Sequence, residues 1–360
     1  MKTYPIREVP EARLSGRFDP EQSGFPMMWS GTCADMTVRA SRLDVRIHCA
    51  YRTLRPYLSF TVDGLRAQTF APLPGTHWVS AMLGMDAGKP HRVRVTLETQ
   101  TWSDDPASYA ALLELRTDGT FEPLPAPTRR LEIIGDSITS GEGLRGPRGF
   151  MEWVPMCFGA SDAYPRLLAD ALRAQVQVIS QSGWGVLHSW DNNPHQILSG
   201  VYDQICGPAA LHSPDGTAHG GEKAYDFSYD PDAVIVNLGT NDGGALAQPA
   251  FVDPASGAAH RFTREDVPAF EQACVDFLAH LHEKNPRARL IWTFGVAGDT
   301  MAEPVRNAVR VAKERGLPVR FVALPDAGTM RGGVGSREHP GVAAHRRMAE
   351  ILKKELLDRR

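Results

Sequence analysis

Two stretches of the chain obey different hydrophobic rules. From about Gly16 to Leu124, apolar and polar residues alternate in short segments, MTVRAS, LDVRIHCAY, LSFTVDG, THWVSAML and HRVRVTLETQ, punctuated by Gly, Pro and Asp. Successive side chains of a strand point to opposite faces, so a period of two with β-branched residues predicts half-buried strands. Many such strands with no helical pattern between them predict a jelly-roll β-sandwich. The three prolines of FEPLPAPTRR then mark a linker. Beyond it, LEIIGDS, VQVIS, DAVIVNLG, ARLIWTFG and PVRFVAL are nearly continuous apolar runs, as parallel strands covered on both faces require. Helical candidates lie between them: SDAYPRLLADALRAQ, VPAFEQACVDFLAHLHEK, and EPVRNAVRVAKERG with Pro304 near its start and Gly316 at its stop. HPGVAAHRRMAEILKKELLDRR closes the chain as an amphipathic helix entered through Pro340. The expected architecture is a jelly-roll β-sandwich over residues 1–125, followed over 126–360 by a three-layer α/β/α domain with a parallel sheet. A length of 360 residues, beyond what one core usually serves, agrees with two domains.

Composition removes several function classes. A chain with 22% charged residues and a formal net charge of -3 offers no field for gripping polyanions, so nucleic acid is not expected as a partner. No apolar run approaches the roughly 20 residues that span a bilayer, so no membrane partner is expected either. The opening MKTYPIREVPEARLSG lacks a signal-peptide apolar stretch, so the sequence as it stands reads as cytoplasmic; a chain already trimmed of its leader would read the same and be secreted. The five cysteines (Cys33, Cys49, Cys157, Cys206, Cys274) are widely spaced with no C-x-x-C pair. They read as free, mostly buried thiols, with a Cys157–Cys206 bridge left as the alternative. Oligomeric state is not legible.

In an open parallel sheet, ligands bind beyond the carboxyl ends of the strands, so the residues after each apolar run carry the candidate chemistry. LEII leads into Gly135, Asp136 and Ser137; VQVIS into Gln181, Ser182, Gly183 and Trp184; DAVIVNL into Gly239, Thr240, Asn241 and Asp242. His339 stands just before the final helix. A serine hydroxyl attacks only when a neighbouring base takes its proton, and the oxyanion formed must be met by preorganised donors. Ser137 is the candidate nucleophile and His339 the candidate base. The Ser137 and Gly183 backbone N–H groups and the Asn241 amide are the candidate oxyanion donors. Asp136 and Asp242, short carboxylates in turns, are expected to hold loop backbone. Trp184 is the favoured wall of a substrate cleft, with Trp190, Trp153 and Tyr164 as further aromatic candidates and core packing as the competing reading. Asp191, Asn192 and Asn193 in the following loop, HSWDNNPHQILSGVYDQICG, are candidates for meeting substrate hydroxyls.

GDSITSGEG, the Ser-Gly of SQSGWG, the GTND of VNLGTNDGG and the histidine of EHPGVAAH stand in the order and spacing of the four sequence blocks of SGNH (GDSL-type) hydrolases, which the chain resembles. Over nearly its whole length, from the WSGTCAD region onward, it also looks like the family 2 carbohydrate esterases, which place a β-sandwich before the SGNH domain. That resemblance implies a serine esterase removing O-acetyl groups from acetylated xylan, mannan or derived oligosaccharides, without metal or cofactor. In the wider family an aspartate usually lies three residues before the histidine; here Ser336 holds that position. Family 2 includes members working with a Ser-His dyad whose imidazole is held by a backbone carbonyl, which is the expectation here. Asp326 and Glu338 are the alternatives for orienting the ring.

Competing readings stay within view. The same constellation serves lipid esterases, thioesterases and sialic-acid O-acetylesterases, and a carbohydrate-binding protein without turnover is the reading from a different class. Gly141, Gly143 and Gly146 spell G-x-G-x-x-G after a strand, but Pro147 and Gly149 follow where a dinucleotide-binding helix should run on. His280 and His282, two apart, cannot share a helical face as metal ligands, and His345 is expected to pack its helix.

Overall fold

The computed structural model describes residues 1–211 and 220–358. Packing divides the chain into two compact units: Met1–Pro127 with Val154–Met156 and Gln204–Tyr225, and Thr128–Trp153 with Cys157–Asp203 and Asp226–Arg360. The first unit thus draws in two segments that lie far along the chain from its sandwich sequence.

The first unit is a β-sandwich of two antiparallel sheets. One runs in the order Lys2–Pro5, Tyr109–Thr117, Arg42–Ala50, Gly75–Leu83, and the other in the order Thr120–Glu122, Cys33–Arg39, His91–Leu97, Leu58–Val62, Leu65–Phe70. Alternation along each strand sends one row of side chains inward. Val45 and Ile47 of one sheet and Met36, Val38, Phe60, Val93 and Val95 of the other therefore share a single buried core. Fully burying a residue of this kind stabilises by about 1.5–3 kcal/mol, which is how so many short strands hold together.

The second unit carries five parallel strands: β1 (Arg130–Gly135), β2 (Gln175–Ser180), β3 (Ala233–Asn237), β4 (Arg289–Phe294) and β5 (Val319–Ala323), in the spatial order β2-β1-β3-β4-β5. The apolar runs of β1, β2 and β3 are buried on both faces, which is why they lack alternation, whereas β5 at the sheet edge is only partly covered. Four longer helices accompany them at Tyr164–Leu172, Val267–Lys284, Ala302–Glu314 and Val342–Leu357. The first two begin with a proline in the first turn, where its missing N–H costs nothing. β1 lies between β2 and β3 with Gly135 level with Ser180 and with Asn237, so the strand order reverses beside β1 and three strands end together there.

All five cysteines are buried and free, so the Cys157–Cys206 bridge is not formed. Among the described residues no helix is long and apolar enough to cross a membrane.

Candidate active site

The turn after β1 is built by its own side chains. Asp136 caps the short helix α1 (Ser137–Ser140), its Oδ1 accepting from the Ile138 N–H at 3.0 Å, and Ser137 is thereby the first helical residue. Ser137 is buried, and its hydroxyl lies 2.9 Å from His339 Nε2. On the far side of the ring, Nδ1 lies 2.9 Å from the Arg337 carbonyl oxygen. A carbonyl can only accept, so Nδ1 carries the hydrogen and Nε2 of the neutral ring is the acceptor for the Ser137 hydroxyl. This is the tautomer a general base needs. Neither alternative orienting group reaches the ring nitrogen. Asp326 caps a separate turn, accepting from the Gly328 N–H at 2.6 Å, and Glu338 is exposed with no hydrogen bond or ion pair among the described residues.

The loop that carries His339 is seated on the loop that carries Ser137. Gly143, at φ +73°, accepts from the Ser336 N–H at 2.9 Å, and a Cβ there would fall 2.4 Å from the Ser336 oxygen and 2.8 Å from His339 Cβ. Only glycine allows both the turn and this approach. Gly143 and Gly146 of the G-x-G-x-x-G run thus serve the packing of two loops, and Gly141 closes on Gly159.

Gly183 follows β2 with φ +80°, and a Cβ on it would meet Trp190 Cδ1 at 2.8 Å. Its carbonyl accepts from the Trp190 N–H at 2.9 Å, which brings the start of the 188–207 loop beside it. After β3, Asn241 donates one amide hydrogen to the Trp184 carbonyl at 2.9 Å, tying the third block to the second. Asp242 reinforces that tie by accepting from the backbone N–H groups of Val186, Leu187 and His188. Burial drives its carboxyl upward, and those three donors pull the other way.

The aromatic and polar cleft candidates separate. Trp184 is only 1% exposed, so its side chain belongs to the core and does not wall a cleft; its carbonyl faces Asn241 instead. Tyr164 is likewise buried, bonded to Thr139 Oγ1 at 2.9 Å. Asn192, read as a substrate contact, is 0% exposed at φ +69°. Its amide donates to the Ala245 and Pro249 carbonyls and its oxygen accepts from the Phe262 N–H, so it latches the loop inward. Asp191 accepts from the Ser189 hydroxyl. Trp190 is 50% exposed and lies against Gly183, so it offers an aromatic face at this edge, and Trp153 is half-buried. His345 is buried in the last helix, accepting from the Tyr164 N–H at 3.1 Å, and burial lowers it to about 3, so it is neutral.

Two residues that sequence reasoning passed over stand at the centre. The Glu142 carboxylate, 3% exposed, pairs with Arg337 Nε at 3.0 Å and lies 3.7 Å from His339 Nε2. A carboxylate among the small residues of GDSITSGEG was the available signal.

Asp136 is completely buried, and burial, with Asp242 and Glu142 nearby, pushes its carboxyl up to about 7. The unfolded chain releases this proton near the ordinary 3.8, whereas the folded chain keeps it until about 7. Folding therefore binds an extra proton between those values, and stability declines across pH 4 to 7 by up to about 1.4 kcal/mol per unit, then levels off. Asp136→Asn has no proton to lose and keeps an oxygen for the Ile138 N–H. Its melting temperature relative to wild type is expected to climb from pH 4 to 7 and stay constant above, as thermal melts in a pH series will report.

The chain belongs to the GDSL-like lipase/acylhydrolase family, whose model matches residues 133–347. The cellulase/esterase CelE of Acetivibrio thermocellus is 26% identical over 98% of this chain, and an acetylxylan esterase/glucomannan deacetylase of Cellvibrio japonicus is 29% identical over 63% of it. This chain spans 40% and 59% of the lengths of those two proteins. Among solved structures, the acetyl xylan esterase Est2A of the rumen bacterium Butyrivibrio proteoclasticus superposes with a TM-score of 0.94 at 32% identity, covering 99% of this chain and 98% of that one.

Proposed function

We propose that this protein is a serine esterase that removes O-acetyl groups from acetylated carbohydrate, with xylan, mannan or their oligosaccharides as the substrate class. The observation that carries the reading is the hydrogen-bonded line from Ser137 Oγ through His339 to the Arg337 carbonyl. In this reading Ser137 attacks the acetyl carbonyl while His339 Nε2 takes its proton. The tetrahedral oxyanion is met by the Ser137 and Gly183 N–H groups and the Asn241 amide. His339 then protonates the leaving sugar oxygen, and water, activated by the same ring, releases acetate from the acyl-enzyme. The carbohydrate part rests on the likeness to Est2A over essentially the whole chain, and on Trp190, whose exposed ring beside Gly183 suits stacking on a pyranose.

The test is release of acetate from acetylated xylan and acetylated manno-oligosaccharides, alongside p-nitrophenyl esters of increasing chain length. The two-carbon acyl group is expected to be preferred. Rates that rise with chain length would move the reading to a lipid or thioester substrate, and sugar binding without Ser137-dependent turnover would make this a binding protein.

A further inference from the structure

The buried Glu142 carboxylate addresses the base from two sides. Its backbone is tied to the nucleophile, the Glu142 N–H donating to the Ser137 carbonyl at 2.9 Å. Through its side chain it grips Arg337, a residue held in the left-handed region at φ +54° and ψ +31°, which a side chain with a Cβ adopts only when its surroundings insist. The Phe150 carbonyl accepts from the Arg337 N–H at 2.8 Å and completes the hold. It is the carbonyl of this constrained residue that receives the His339 Nδ1 hydrogen. On the other side of the ring, Glu142 Oε1 stands 3.7 Å from Nε2, the nitrogen at which a proton taken from Ser137 arrives.

We propose that Glu142, acting with Arg337, is the positioning residue for the base, performing here the work of the aspartate that Ser336 replaces. The proposal rests on the reading of Ser137 and His339 as nucleophile and base. Beside a neutral imidazole the carboxylate contributes little; beside the imidazolium it is a counter-charge at short range with little water to screen it. Its stabilisation therefore appears as the proton moves, which is where an interaction raises kcat instead of lowering KM. The guanidinium offsets the cost of burying the carboxylate at rest. At 36% side-chain exposure the guanidinium is better screened than its partner, so the carboxylate dominates at the ring.

Two readouts on the full chain test this: steady-state kinetics on p-nitrophenyl acetate, and the rate at which a fluorophosphonate labels Ser137. Labelling needs His339 to take the serine proton as fluoride leaves phosphorus, but it does not depend on the natural substrate. Glu142→Gln is expected to lower kcat by about 10- to 100-fold with KM within about twofold, and to slow labelling by at least about tenfold. Arg337→Met should do the same, Arg337→Lys should recover part of the loss, and the Glu142→Gln/Arg337→Met pair should be no worse than the more severe single change, since the two act as a unit. Labelling at the wild-type rate in Glu142→Gln overturns the proposal, as do losses that multiply in the double variant. Should Glu142→Gln not fold, Arg337→Met, at a half-exposed side chain, decides the question by the same labelling rate. A wild-type protein that is labelled at Ser137 yet releases no acetate from any carbohydrate would sink the proposed substrate, while the labelling comparison still judges Glu142.

Discussion

Ser137→Ala is expected to lose at least about 10⁴-fold in kcat on p-nitrophenyl acetate, His339→Ala to lose a similar amount, and the double variant to be no worse than either. The hydroxyl and Nε2 are 2.9 Å apart, and the ring's other nitrogen is committed to a carbonyl, so the serine can pass its proton in one direction only. Without the base the hydroxyl is too weakly acidic to attack, and without the hydroxyl the base has no proton to take. That mutual dependence is why the two losses should not add. Whatever rate survives in either variant would come from the oxyanion donors and binding. Initial-rate kinetics on the three variants check this; a Ser137→Ala protein within tenfold of wild type would remove the covalent mechanism altogether.

Asn241→Ala is expected to cost about 10²- to 10³-fold in kcat with KM nearly unchanged, by analogy with measured oxyanion donors. One amide hydrogen of Asn241 is fixed on the Trp184 carbonyl at 2.9 Å, which sets the plane of the amide and leaves its second hydrogen for the proposed oxyanion hole. A donor held in this way needs no reorganisation when the charge develops, and its contribution is realised in the transition state. Asn241→Asp has nearly the same shape but places an acceptor where a donor is required, so it should be more severe than the alanine variant. Equal kinetics for Asn241→Ala and wild type would take this side chain out of the oxyanion hole.

Strand positions were legible because both hydrophobic rules are local: period two along Arg42–Ala50, and in the strand Ala233–Asn237 an apolar run unbroken until its last residue. The candidate loops were legible for a topological reason, since parallel strands all end at one edge and each block follows such an end. What sequence could not provide was the direction of a side chain in irregular backbone. Trp184 and Trp190 are both tryptophans near one glycine, yet one is buried and the other half in water, a difference fixed by packing partners elsewhere in the chain. Asn192 looked like a polar contact for substrate because its left-handed conformation and its four backbone partners in residues 245–262 leave no trace in the local pattern. Glu142 and Arg337 lie 195 residues apart, and no periodicity connects them. The grouping of Gln204–Tyr225 with the first unit was hidden for the same reason.

The seating of Ser336 and His339 on Gly143 has a consequence for recombination between relatives. Ser137 and His339 belong to one interlocked surface, although 202 residues separate them in the chain. A chimaera whose crossover falls between them inherits a hydroxyl shaped for one parent and an imidazole shaped for the other. Residues 136–151 and 335–341 form a single heritable part, and libraries that exchange both together should yield active offspring far more often than those that exchange either alone.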